Sequence, residues 1–506
     1  MASSSHTGGI FPAMPSKASV ARLLPTAVHA ALVIVGVRIW NLLLFKTHME
    51  QPGVVLAWLT AAFVLVLVAR EIAIGTAPAE QSRLQRRWAA IRGPDLALLM
   101  LLFVLLFLFH FGFQRAASDG REYFVQVRSL VIDGDLDFSN ENAAFGVRGT
   151  ADIYAFGAPL LWTPFFVAAH ATIGAWNVLG AELPANGFAN PYQRAIGLGT
   201  LLYGFVALLL IYRLLAHYFS RRLAAATTVG LTAGSFILWY LVVDNSMSHG
   251  ASMFAVTLFV YTWHQERGSM SRRRWVLLGA TAGLMAMVRW QNVLFLVFPL
   301  LDELAALHRH GAAHLREAWS SYATGAAVFV LASSPQLVFW KLVRGSWLAP
   351  PASSHSVAWS DPQIADVLFA SDRGLFAWTP LLLLAVLGLP LFLRRDALFT
   401  LAMTVALAGQ VYVNSLVEQG GHGFGARKFA GCAVIFALGL AALLEWLTKR
   451  PRLAAASLVG ILVLLNATFM LDMNSGRLPA TGTVTFDEML GSLTSKLGNP
   501  FTLPMS

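Results

Sequence analysis

The chain has 506 residues, 57% of them hydrophobic and 12% charged, with a formal net charge of +10 and a mean hydropathy of +0.63. A soluble protein of this length needs more charge to cover its surface, and solid apolar runs such as 96–113 exclude the alternating pattern of a membrane barrel. The basic residues fall in clusters between apolar spans and not in one patch, which argues against nucleic acid as a partner. The single cysteine, Cys432, excludes an intrachain disulfide.

The first twenty residues are polar and small, without the basic-then-apolar pattern of a cleaved signal peptide, and residues 1–23 read as a cytoplasmic segment. Stretches apolar enough to cross a bilayer follow at about 24–45, 53–69, 95–113, 193–215, 222–243, 246–264, 274–289, 292–307, 318–340, 375–393, 397–416, 427–447 and 453–471. In lipid the backbone must satisfy its own hydrogen bonds, so these are expected to be helices, about thirteen of them. The first two, with the basic loop up to residue 94, form an accessory hairpin. Residues 95–471 form the main transmembrane domain, and 472–506 form a short outer tail.

Orientation comes from the loops. Arg70, Arg83, Arg86, Arg87 and Arg92; Arg213, Arg221 and Arg222; Arg267, Arg272, Arg273 and Arg274; Arg394 and Arg395; and Lys449, Arg450 and Arg452 all fall on one side when the N-terminus is cytoplasmic. The scheme requires that 153–176, which carries Pro159 and Pro164, does not cross. It is expected to be broken helices at the outer surface, with a kinked span as the alternative. The outer face then holds 114–192, 341–374 and 417–426.

The first outer loop is the acidic focus, with Asp119, Glu122, Asp133, Asp135, Asp137 and Glu141 within 23 residues. Asp119 follows the third span at headgroup level, where a carboxylate can take a proton from an acceptor hydroxyl. It also reads as a solvated acid or the N-cap of a helix over 122–130. The alternation Asp133, Asp135, Asp137, Ser139, Glu141 offers oxygen ligands to a hard cation. It lacks the EF-hand pattern, with Gly134 misplaced and Ala144 at the twelfth position, so an Asx-rich turn is the competing account and a divalent cation stays only possible.

The second constellation is basic. Glu418 and Gln419 lead into Gly420, Gly421, His422, Gly423, Phe424, Gly425, Ala426, Arg427 and Lys428, at the outer start of a span. Glycines admit backbone amides to an anion, and a helix start favours negative charge, so a lipid phosphate fits there. Snorkelling anchors are the alternative. Arg289, beside Trp290, ends another span on the outer side, where an ionisable residue is a functional candidate or a headgroup anchor. His249 lies in the turn at 244–249, and Arg373 precedes the tenth span as a further outer cation. No GxxxxGK[ST], HExxH, GxSxG or CxxC occurs, which argues against a nucleotide-driven pump and the common hydrolases.

The layout of these motifs resembles the GT-C membrane glycosyltransferases, the superfamily of protein O-mannosyltransferases and lipid A aminoarabinose transferases. The matching passages are Asp119, Gly120, Arg121, Glu122 and Tyr123 after a transmembrane helix; GAPLLWTPF at 157–165; and GATAGLMAMVR at 279–289. YFVQVRSLVIDGDLDFSNE, SDRGLFAWTPLLLL and GGHGFGARKFAGCAVIFALGLA are similar to a bacterial branch, and the resemblance spans about 95–450. It implies an integral protein of the bacterial inner membrane that takes a polyprenyl-phosphate sugar, not a nucleotide sugar, and inverts the anomeric carbon at the outer face. Asp119 and Glu122 are then the catalytic candidates. Arg121, Tyr123, His249, Arg289, Arg373, His422, Arg427 and Lys428 are the substrate-binding candidates, with Arg289, Arg427 and Lys428 on the donor phosphate. Two departures stand out: Gly120 replaces the family's second acid, and two extra spans precede the acidic loop where many relatives have one. The rival readings are a transporter or flippase of lipid-linked or small polar substrates and a glycan ligase or polymerase using a pyrophosphate donor.

Overall fold

The computed structural model describes residues 17–45, 52–76, 81–145, 154–349, 359–417, 423–448 and 452–498. The protein is an all-α polytopic membrane protein, and no strand occurs among the described residues. It divides into two compact units, Met1–Phe103 and Val104–Ser506.

In the first unit, the long apolar helices α1 (Lys17–Leu44) and α2 (Pro52–Gly75) are followed by the short basic α3 (Arg83–Ala89). A capping box starts α3: Ser82 Oγ accepts from the Gln85 amide at 3.2 Å, and Gln85 Oε1 accepts from the Ser82 amide at 2.9 Å. The boundary between the units falls inside α4 (Gly93–Gly112).

The second unit begins with three elements that frame the acidic loop: α5 (Asp119–Arg128) with a further π turn (Ser129–Asp133), α6 (Ser139–Phe145) and α7 (Gly157–Val178). The helices α8 (Asn190–Tyr218), α9 (Arg221–Ala233), α10 (Ile237–Val242), α11 (His249–Glu266) and α12 (Arg272–Val288) follow. A 3-10 stretch (Trp290–Leu296) leads into α13 (Val297–His310), then come α14 (Ala313–Arg344), the short α15 (Ile364–Phe369) and α16 (Leu375–Trp378), α17 (Pro380–Phe392) and α18 (Ala397–Ser415). A second 3-10 stretch (Arg427–Cys432) opens α19 (Ala433–Thr448), and α20 (Arg452–Asn474) and α21 (Phe486–Gly498) close the chain.

Ten helices are long and apolar enough to cross a membrane among the described residues, against about thirteen expected. The differences have local causes. The expected span 222–243 is interrupted at 234–236, where Ser235 turns its hydroxyl back to the Leu231 carbonyl at 2.7 Å. The span expected at 375–393 breaks at Thr379, because Pro380 disfavours helical backbone before it. The α12 helix has 17 residues and α11 is less apolar.

Segment 157–178 corrects the expectation of broken helices. It is one unbroken helix, with Pro159 in its first turn, where no intrahelical N–H is needed, and Pro164 inside it. Length and hydropathy would let it cross, and it packs along α8, with Phe165 against Tyr203. Tyr154, just before it, bonds Asp119. His170 Nδ1, in its second half, lies 2.7 Å from the Tyr192 hydroxyl in the first turn of α8. The neighbouring Gln193 accepts from the Ala116 amide at 3.1 Å, three residues before Asp119.

Candidate active site

Asp119 is the first residue of α5, and its position is built by its neighbours. Ser118 sits at φ +47°, a left-handed conformation that a serine adopts only under constraint. Gly120 then packs against the 244–248 turn so closely that a Cβ there would stand 2.2 Å from Ser246 Oγ. A side chain at this position would therefore displace Ser246. Asp119 Oδ1 accepts from the Tyr154 hydroxyl at 3.0 Å and from Ser118 Oγ at 3.3 Å. Its Oδ2 faces Arg427 Nη2 at 3.4 Å, at the outer limit of a hydrogen bond. Burial and the adjacent Asp119 charge hold the Tyr154 phenol above its ordinary range, so it stays a proton donor to the carboxylate.

Arg289 enters from the end of α12, where its extended backbone (φ −154°) stops the helix. Its Nη1 donates to Ser248 Oγ at 3.3 Å and to His249 Nδ1 at 3.1 Å. Ser248 in turn donates to the buried Tyr123 hydroxyl at 3.0 Å, and the His249 ring packs edgewise on Tyr240 at 4.8 Å. Tyr123, Ser248, His249 and Arg289 thus form one chain of polar contacts beside Asp119.

Arg427 and Lys428 open the 3-10 turn before α19. Gly423, at φ +91°, leaves space that Tyr240 Oη and Arg427 Nη1 border, and a Cβ there would meet them at 2.5 and 2.7 Å. Tyr240 accepts from the Phe424 amide at 2.8 Å and donates to the Phe424 carbonyl at 3.1 Å. A buried amide cluster ties this turn to the Arg289 turn. Gln291 Nε2 donates to Gln410 Oε1 at 3.1 Å, Asn414 Oδ1 at 3.2 Å and the Lys428 carbonyl at 3.3 Å. Arg289, Arg427 and Lys428 lie within charge–charge range of one another and of Asp119.

Several sequence candidates fall elsewhere. Arg373 is buried, and its guanidinium is engaged by the carbonyls of Gly423, Pro479, Ala480 and Gly482, so it holds backbone and does not face the acidic residue. Arg121 turns away over the Phe145 ring, 5.3 Å from its centroid. Glu122 is buried in α5, close enough to Tyr154 to act on its charge. His422 lies outside the described residues.

The three acids considered for a cation do not converge. Asp133 pairs with Arg128 and accepts from Asn140 Nδ2 at 2.7 Å. Asp135 Oδ1 accepts from Ser129 Oγ at 2.8 Å and the Asp137 amide at 3.2 Å, and Asp137 Oδ1 takes the Ser139 amide at 3.0 Å. These are Asx turns and a helix cap. Among the described residues no group of three His, Cys, Asp or Glu side chains is placed to hold a metal ion.

The structure adds residues that the sequence did not single out. Tyr154 is one; nothing in its spacing marks it. Asp244 is another. It lies in the turn before α11, and its carboxyl is raised to about 6 by burial, with Asp119 adding to the rise and Arg427 opposing it. A lone acid between two apolar runs was the available signal. The third is the backbone of 479–482, which no side-chain motif encodes.

Residues 188–339 match the family model described as dolichyl-phosphate-mannose-protein mannosyltransferase. The matched segment is similar to that family of membrane glycosyltransferases. It covers under a third of the chain and contains Asp244, Ser248, His249 and Arg289 but neither Asp119 nor Arg427. No curated protein matches the chain.

Proposed function

We propose that this protein is a glycosyltransferase that moves a sugar from a polyprenyl-phosphate donor to an acceptor hydroxyl at the outer face of the membrane. The observation that carries the reading is the meeting of Asp119, 119 residues along the chain, with Arg289 and with Arg427–Lys428, from three distant segments around one point. Asp119 takes the acceptor proton as the acceptor oxygen attacks the anomeric carbon. The bond from that carbon to the phosphate oxygen breaks, with inversion. The leaving polyprenyl phosphate gains a negative charge, which Arg289, Arg427 and Lys428 stabilise. Cations aimed at charge that develops in the transition state supply a large share of such catalysis. The Asp119–Arg427 contact must open for a sugar to lie between base and phosphate, and its length of 3.4 Å suits a pair that parts readily.

The test compares lipid ligands on the purified protein in nanodiscs. Polyprenyl monophosphate esters should bind more tightly than the pyrophosphate, and Arg427→Ala should weaken them. Tighter pyrophosphate binding would favour a ligase or polymerase, and binding indifferent to Arg427 and Arg289 would remove these cations from the donor site.

A further inference from the structure

Arg373 and the last described segment hold the turn that carries Arg427. Arg373 is a bulky residue at φ +69°, a conformation that costs free energy and persists only where surrounding contacts impose it. Those contacts are visible. Its Nε donates to the Gly423 carbonyl at 2.9 Å, Nη1 to the Gly482 carbonyl at 2.7 Å, and Nη2 to the carbonyls of Pro479 at 3.2 Å and Ala480 at 3.3 Å. Asp372 pairs with the same guanidinium. The Gly423 amide completes the link by donating to the Ala480 carbonyl at 3.0 Å. On its other side the Gly423–Phe424 backbone is bonded by Tyr240, and Gly423 borders the Arg427 guanidinium.

The C-terminal segment is itself folded back and anchored. Buried Asp472 accepts from Ser492 Oγ at 2.6 Å and from Arg477 Nη1 at 3.4 Å, and its carbonyl accepts from the amides of Arg477 at 2.8 Å and Leu478 at 3.1 Å. A planar guanidinium with five donors suits such a junction, because it can serve several carbonyls at once where a lysine ammonium cannot hold the same fork.

We infer that Arg373 and residues 479–482 form a clasp that fixes the 423–427 turn, so that Arg373 is a positioning residue acting on the donor through Arg427. The effect on the donor rests on the proposed role of Arg427; the clasp itself does not. The test uses the full chain in nanodiscs, wild type against Arg373→Lys and Gly482→Val. The second variant leaves the buried charge in place and strains only the φ +85° of Gly482, where a Cβ meets no atom within 4 Å. Amide hydrogen exchange is followed in peptides covering 423–427 and 478–482, together with affinity for a polyprenyl phosphodiester and the thermal midpoint.

Exchange should quicken about tenfold in both segments together, the size expected when charge-assisted hydrogen bonds are lost. Phosphodiester affinity should fall about tenfold while the thermal midpoint moves little, a split that general loss of structure would not give. Faster exchange in 478–482 alone, or in neither segment, overturns the clasp. Faster exchange in both with affinity unchanged upholds the clasp and rejects the donor role of Arg427.

Discussion

The helix α11 carries a polar cluster at each end, roughly 25 Å apart by helical rise, and the two are built on opposite plans. At its far end Arg267 lies between two carboxylates, donating to Asp302 at 3.1 Å and pairing with Asp396. Trp263 Nε1 bonds Asp302 at 2.8 Å, and the Tyr218 hydroxyl bridges His264 at 2.8 Å and Asp396 at 3.2 Å. Here opposite charges are matched within the fold. At the near end, Arg289, Arg427 and Lys428 repel one another, Arg289 leans on neutral partners, and the contact of Arg427 with Asp119 is long. The difference is one of balance: the near-end cations repel one another and share the nearby carboxylates of Asp119 and Asp244, so a bound anion would stabilise that end.

Substitutions at the two ends should therefore separate stability from binding. Arg267→Ala strands two carboxylates and should cost about 3 kcal/mol in stability, read as a lower unfolding midpoint, with lipid-phosphate affinity unchanged once folded. Arg427→Ala removes its repulsion of Arg289 and Lys428 together with its attraction for Asp119 and Asp244, so the midpoint should fall less than in Arg267→Ala, while a polyprenyl phosphodiester should bind about 2 kcal/mol more weakly, some thirtyfold. If Arg427→Ala unfolds the protein as readily as Arg267→Ala, the contrast fails. Gly120→Ala should cost on the order of 1–2 kcal/mol by overpacking against Ser246, and should lower transfer further by displacing Asp119. A Gly120→Ala protein with full activity would show that Asp119 tolerates movement.

The smallest effect should come from Asp244. Its carboxyl, raised to about 6 by burial and by Asp119 against the pull of Arg427, takes a proton as pH falls through that value. Losing this negative charge makes the site more favourable to an anion. A phosphodiester, which does not titrate in this range, should bind several-fold more tightly at pH 5.5 than at pH 7.5. Asp244→Asn should bind at pH 7.5 as wild type does at pH 5.5. A pH dependence that survives Asp244→Asn would assign the titration elsewhere.

Much of the fold was legible because membrane helices are written as runs of one chemical kind. Apolar length marked α1, α2, α4, α8, α14, α18, α19 and α20. Breaks decided by single residues were harder to read, such as the back-bonded Ser235 that divides α9 from α10. The prolines in α7 misled because a proline in a first turn needs no partner, and Pro164 is carried by the helix around it. At the site, Asp119, Arg289, Arg427 and Lys428 were visible as charges at helix ends. Arg373 carried the same signal and proved to be bound to backbone, since composition does not distinguish a cation awaiting an anion from one already satisfied by carbonyls. Tyr154 and the 479–482 carbonyls were invisible because long-range contacts, not motifs, give them their roles.

The most direct test of the account is transfer from a labelled polyprenyl-phosphate sugar by membranes containing wild type or Asp119→Asn. Asparagine keeps the shape and can still accept from Tyr154 but cannot take a proton, so transfer should fall by about a hundredfold to ten-thousandfold with the fold and lipid-phosphate binding retained. Asp119→Asn protein that transfers at the wild-type rate would contradict the central claim.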